Sequence, residues 1–290
     1  MNATRRDPVQ GERNQRTIQQ PATFSGIGIH TCQEVQLRFC PAPPGFGIQF
    51  QRTDLAEKPL LAATVDNVID TSRSTTIGNK YCHVQTVEHL LSALKAYSID
   101  NLLVEISNIE PPIGNGSADQ FIEMIENAGI EEQNETTPLM RLDRPIFWSD
   151  GDIHLVALPS DEYRISYTLS YPTSPMLKTQ YASFAITSEI FKKEIAPCRT
   201  FSLYKEISYL IDKGLIKGGS LANAVVVCDD AIISKGGLFF PDEMARHKIL
   251  DLIGDLALIR YDIKMHVIAI KSGHATNVAL AKEISNYFTR

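Results

Sequence analysis

Residues 245–256 read ARHKILDLIGDL. Between Ile249 and Ile259 every residue is apolar except Asp251, Gly254 and Asp255. A helix that apolar is buried around most of its circumference. PDEM (241–244) supplies its start, with Pro241 outside, Asp242 as cap and acids in the first turn. His247, Asp251 and Asp255 fall four apart, so they share one stripe of this buried helix. A buried ionised carboxylate needs a cation or several hydrogen-bond donors. A His–Asp pair at i, i+4 sets an imidazole nitrogen and a carboxylate oxygen toward one metal ion, and Asp255, one turn on, orients a neighbouring group. HxxxD alone is a common pattern. A helix with a narrow solvated stripe and an ordinary His–Asp contact reads the same way.

The stretch is part of a larger unit. RHKILDLIGDLALIRYDIKMHVIAI (246–270) reads as a helix followed by a strand, and so does VEHLLSALKAYSIDNLLVEI (87–106), about one helical turn shorter. Each helix has a histidine near its start, and each strand runs toward a small-residue loop, NGSA (115–118) and SGHA (272–275). The rhyme fits an ancient duplication, although any two helix–strand units share this much. EEQNETTPL (131–139) is polar and aperiodic, which predicts a linker. The expected division is a disordered extension over 1–14, a domain over 15–133 and a second over 134–290.

Strand patterns occur in TFSGIGIH, EVQLRFCPA and FGIQFQRTD, then in DIHLVALP, YRISYTLSY, QYASFAI and NAVVVCDD. Helices are predicted at 118–128, 187–194, 202–213 and 276–287. The mixed order and hairpin-like spacings predict an α+β fold rather than a doubly wound parallel sheet. GIGIH and KGGS lack GxGxxG or Walker spacing, so no nucleotide-cofactor fingerprint is present.

The chain of 290 residues is 43% apolar, enough to fill a core. A net charge of −6 argues against nucleic acid as a partner. No apolar run approaches the ~20 residues of a membrane helix, and MNATRRDPVQGE lacks the apolar core of a secretory signal. Five cysteines, none in CxxC, predict reduced thiols. These features predict a cytoplasmic protein without stable membrane insertion, expected to be a monomer.

A second segment strengthens the metal reading. TVEHLLSAL (86–94) sets Glu88 and His89 in the first turn of an apolar helix, with Thr86 as the expected cap. The two side chains differ by ~100° around the helix. Glu88 therefore suits a base acting beside a metal better than a fourth ligand; a surface Glu–His pair is the plainer reading. A His₂Asp set leaves a coordination position open, as catalytic zinc sites do. HExxH is absent. KSGHATN (271–277) puts His274 in a small-residue loop after a strand, where it serves as general acid or as an imidazolium facing an oxyanion. In PCRTFSLYKEI (197–207) Thr200 precedes a helix, either facing an oxyanion or capping.

With SGIGIHT (25–31), QRTD (51–54), IGNGSA (113–118), RTF (199–201) and GLIKGGS (214–220), these motifs resemble one family over Gln15 to the C-terminus. It is the family of UDP-3-O-acyl-N-acetylglucosamine deacetylases, the zinc amidases that commit Gram-negative bacteria to lipid A synthesis. The resemblance implies zinc on His89, His247 and Asp251, with Glu88 as general base. It implies His274 as the imidazolium that stabilises the oxyanion and helps the amine leave, Thr200 as an oxyanion contact and Asp255 as a carboxylate held near the catalytic histidine. His30 and Lys248 match substrate-binding residues, and Phe201, Leu203, Ile207, Ile216 and Gly219 match an apolar passage for the 3-O-acyl chain. The implied fold is two domains of like topology, each a β-sheet with two packed helices, the helices sandwiched between the sheets.

Cys32 stands where the family usually has glycine, Asn115 where aspartate is common, and STT (74–76) replaces a more apolar or Cys-bearing stretch. Two other readings stay open: a metal-stabilised binding protein without chemistry, and a metalloamidase acting on another acylated sugar. A His₂Asp set accepts iron(II) as well as zinc.

Overall fold

The computed structural model describes residues 9–289. The fold is α+β. One sheet has five strands in the order Ala22–Ile27, Glu34–Pro41, Leu102–Ile106, Ile48–Arg52, Leu60–Ala62. Only the Leu102–Ile106/Ile48–Arg52 pair is parallel. The second sheet repeats this plan with Ile146–Asp150, Ile153–Pro159, Asp262–Ile270, Arg164–Tyr171 and Lys178–Ala185. Among these five strands a single pair, Arg164–Tyr171 with Asp262–Ile270, is again parallel. Order, direction and position of the parallel pair coincide, so the rhyme between the halves is a shared topology.

Six helices follow: α1 (Glu88–Ala96), α2 (Asp119–Ala128), α3 (Ser188–Ile190, continuing as a wider π turn to Ile195), α4 (Tyr204–Asp212), α5 (Glu243–Leu256) and α6 (His274–Thr289). α1 leads into the parallel strand of the first sheet and α2 follows it; α5 and α6 do the same in the second. α2 lies against Ala22–Ile27, α5 against Arg164–Tyr171 and Lys178–Ala185, and α6 against Ile146–Asp150 and Ile153–Pro159. α1 packs on α5, so the helices form the middle of a sheet–helix–helix–sheet sandwich. Alternation decides which side of each sheet they cover. Val35, Leu37 and Phe39 are buried between exposed Glu34, Gln36 and Arg38. Ile263, Met265, Val267 and Ala269 do the same in the central strand of the second sheet.

The expected linker is instead a strand. Ile130–Arg141 pairs antiparallel with Val9–Ile18, and its end runs parallel to Asp262–Ile270. Most of its residues lie outside the core, which explains the polar, aperiodic sequence: ladder hydrogen bonds hold it, not a buried face. Gln133 and Met140 are its buried exceptions, and Gln133 donates to the Ala42 carbonyl and accepts from Asn101. Residues 9–14, expected in an extension, begin the partner strand. Residues 1–8 of that extension lie outside the described residues.

Burial of α1 and α5 is nearly complete. In α5 only Arg246 and Lys248 escape it, and in α1 only Lys95. Where they cross, Gly254 lies so close to α1 that a β-carbon on it would sit 2.0 Å from the Glu88 carbonyl oxygen. No side chain fits there, and the obstacle is backbone. Gly254→Ala is therefore expected to cost about 1–3 kcal/mol by overpacking. It is also expected to push His89 away from the His247/Asp251 pair. Denaturant unfolding and metal titration of the variant read the two effects separately.

Candidate metal centre

The crossing brings the first turn of α1 to the middle of α5. His247 Nε2 lies 3.3 Å and His89 Nε2 3.6 Å from Asp251 Oδ1. The two imidazoles meet edge to face, with centroids 5.0 Å apart. One ligand atom from each of the three residues lies within 4.8 Å of the others, and all three side chains are buried. His247 Nδ1 donates to the Cys198 carbonyl at 3.0 Å, which leaves the Nε2 lone pair free. Burial, more than the opposing pull of Asp251, lowers His247 to about 3, so its ring is neutral. Burial works to raise the Asp251 carboxyl, but its surroundings, with the Lys248 ammonium as the standing charge, hold it well below its usual value. Lys248 Nζ donates to Asp251 Oδ2 at 2.7 Å, leaving Oδ1 toward the histidines. Two imidazole nitrogens and one carboxylate oxygen fit a borderline divalent ion such as zinc. His89 Nδ1, buried with no partner among the described residues, shows that no protein bond competes for this ring's orientation.

A proton-handling pair adjoins the triad. His274 Nε2 lies 3.8 Å from Glu88 Oε1, and His274 Nδ1 is 3.0 Å from Asp255 Oδ2. Burial opposes the imidazolium, yet Asp255 and Glu88 outweigh it and raise His274 to about 9. Burial likewise raises the Glu88 carboxyl, against the pull of His274 and His89. Thr75 fixes both acids: its N–H donates to Glu88 Oε2 at 3.0 Å and its hydroxyl to Asp255 Oδ1 at 2.5 Å. Asn277 donates to the other Asp255 oxygen at 2.8 Å. Thr75 belongs to the STT stretch over 74–76. Its role was not legible in sequence, because nothing local links residue 75 to residue 255.

Beside these groups opens a cavity of about 270 Å³. His30, Glu88, His89 and Thr200 line its polar side, and Phe201, Ile207 and Ile216 belong to its apolar wall, with Gly219 also in the lining. Leu203 does not line it. It lines a separate depression with Tyr204 and Val227, at the residue where the short strand Phe201–Leu203 gives way to α4. Lys248 lies on the metal side, over the Phe201 ring. His30 Nδ1 accepts from the Ile216 N–H at 3.4 Å, and burial lowers its pKa. Thr86 is not the cap of α1: Val87 is, while Thr86 sits at φ +56° and its hydroxyl donates to Glu110. Glu110, unnoticed in sequence, also accepts from the N–H groups of His30 and Thr31, tying that loop to the start of α1. Asp242 makes no cap bond and takes Arg246 instead. Glu243 receives Arg199 in a buried pair that braces the segment carrying Thr200.

A buried His₂Asp cluster beside a paired acid and imidazolium, at the end of an apolar cavity, defines a metal-dependent hydrolase site. The family model described as UDP-3-O-acyl N-acetylglycosamine deacetylase matches residues 15–286. Curated proteins named UDP-3-O-acyl-N-acetylglucosamine deacetylase are similar along almost the whole length. The one from Chlamydia felis is 50% identical over 273 residues, covering 94% of this chain and 97% of the relative. The one from Chlamydia pneumoniae is 49% identical over 274 residues with the same coverage. This chain belongs to the UDP-3-O-acyl-N-acetylglucosamine deacetylase family, and it is an enzyme of that amidase class.

Two expectations follow from the site. With His274 protonated below about pH 9, kcat/KM should fall on the alkaline side near that pH as the proton is lost. Asp255→Asn removes the main raising charge, so this limb should move to lower pH in a pH–rate profile. Cys32 sits at φ +57°, a left-handed conformation that glycine adopts without steric cost. Cys32→Gly should stabilise the fold by about 0.5–1 kcal/mol in denaturant unfolding.

Proposed function

We propose that this enzyme hydrolyses the N-acetyl group of UDP-3-O-acyl-N-acetylglucosamine in a zinc-dependent reaction that releases acetate, the committed step of lipid A synthesis. The observation that carries the reading is the convergence of His89, His247 and Asp251 within 4.8 Å beside a Glu88–His274 pair. When bound there, zinc supplies Lewis acidity toward water and toward the amide carbonyl; iron(II) fits the same donors. Glu88 takes the proton of the attacking water, and its burial and the Thr75 N–H bond hold it in place. His274 meets the developing oxyanion as an imidazolium and gives its proton to the departing amine. Asp255 keeps it charged and oriented. Thr200 adds a hydroxyl donor to the same oxyanion.

Around the reacting amide, His30 and Lys248 bind the polar part of the substrate. Phe201, Ile207, Ile216 and Gly219 receive the acyl chain, consistent with the cavity they line. Among the described residues no helix is long and apolar enough to cross a membrane. The net charge of −6 offers no support for nucleic-acid binding. We assign the enzyme to the cytoplasm, as a monomer.

The experiment is metal content and acetate release measured on one purified sample. Glu88→Ala should keep zinc and lose turnover by about 10²–10⁴-fold, the range for removing a general base; full activity in that variant would refute the assignment. His274→Ala should lower kcat while leaving zinc in place. A metal-bearing protein that releases no acetate from the UDP-linked substrate is a binding protein or an amidase for another sugar.

A further inference from the structure

The cavity has a feature that the acyl-passage reading leaves unused. Its lining includes one cationic side chain with no part in the chemistry, Arg73. Arg73 belongs to the loop that leads into Thr75. Asp70 holds that loop by accepting from the N–H groups of Thr71 and Ser72 and from the Ser72 hydroxyl. Arg73 itself sits at φ +67°, a conformation that ordinary residues avoid. Its guanidinium reaches Glu206 of α4, with Nη2 2.9 Å from Oε2.

α4 is the opposite wall. Ile207, Leu210 and Ile211 lie on one face of it, at the i, i+3, i+4 spacing of a helix that seeks a core. That face covers the cavity instead: all three residues line it, and within α4 only Leu210 is buried. Ile211 remains 56% exposed. α4 therefore lacks the packing that fixes α1 and α5. The Arg73–Glu206 pair links this weakly packed wall to the loop that positions the two acids of the reaction.

We infer that Arg73 and Glu206 form a clasp that closes α4 over the passage and sets which acyl chains it holds, making Arg73 a specificity-determining residue. The inference rests on the proposed acyl-substrate reading. With the clasp closed, the apolar face of α4 presses on an acyl chain in the passage. With it open, the wall swings free and the chain loses contact along Ile207, Leu210 and Ile211. Both partners are half exposed, so the clasp weakens as salt screens it.

The test uses Arg73→Ala, Glu206→Ala and the charge-reversed pair Arg73→Glu/Glu206→Arg in the zinc-loaded enzyme. Each single variant should raise KM for a long-chain substrate about two- to five-fold, the factor that an exposed ion pair corresponds to. kcat and zinc content should not change, and the KM ratio between long and short acyl chains should shrink. The reversed pair should restore the wild-type KM, and high salt should raise KM in wild type but not in the single variants. Amide hydrogen exchange in α4 should accelerate in both single variants without any substrate present. Unchanged KM and unchanged exchange in both would overturn the clasp. So would an effect confined to Arg73, which would make the guanidinium a direct substrate contact. Absence of any turnover in wild type, with exchange still faster in the variants, would count against the substrate reading and not against the clasp.

Discussion

The contact between Gly254 and the backbone of Glu88 is the constraint on which the site depends. The ligands come from two helices separated by more than half the chain, and no local geometry brings them together. Close approach does, and only glycine permits it, since a β-carbon would meet a carbonyl oxygen at 2.0 Å. The same contact fixes the neighbouring side chains: Glu88 is the residue touched and His89 is the next in the chain. Gly254 lies between Asp251 and Asp255, so the pinned point stands between the metal half and the proton half of the site.

Burying so many charged groups at that interface is tolerable because each has a specific partner. Asp251 has Lys248 on one oxygen and the histidines on the other. Asp255 has Thr75, Asn277 and His274, and Arg199 and Glu243 satisfy each other nearby. An unpaired charge in such surroundings costs several kcal/mol. The network therefore selects one relative placement of the two halves, because sliding α1 along α5 would strand carboxylates without donors. The price of that selectivity is stability that an apolar interface of equal volume would have supplied.

How much of this was legible depended on range. The α5 stripe, the His89 segment and most strands were readable because helical and strand periodicities are local: His247, Asp251 and Asp255 announce themselves by spacing alone. The recognised family motifs brought His89 and His274 to the same place on paper. Polar strands were not legible. Ile130–Arg141 looked like a linker because it is held by ladder hydrogen bonds with Val9–Ile18, a partner far away in sequence. Thr75 and Glu110 were missed for a related reason. Each acts through hydrogen bonds to residues whose proximity only the folded chain creates. Leu203 sits in the same motif, but it is the residue at which the short strand gives way to α4, and it lines a separate depression with Tyr204 and Val227.

The molecule divides its labour according to packing. Groups that must hold a geometry within fractions of an ångström lie on α1 and α5, the most completely buried helices, where neighbours on every side restrain them. The groups proposed to receive a flexible apolar chain lie on short strands, loops and α4, whose apolar face lines the cavity. Left-handed backbone at Arg73, Thr86 and Ile216 rings the boundary between these regions. Such conformations persist only where the surroundings dictate them, and here the rigid α1/α5 core and its hydrogen bonds do so. Strain thus sits where the rigid catalytic layer hands over to the adaptable wall. That boundary is where a substrate with a polar head and an apolar tail needs the change of character.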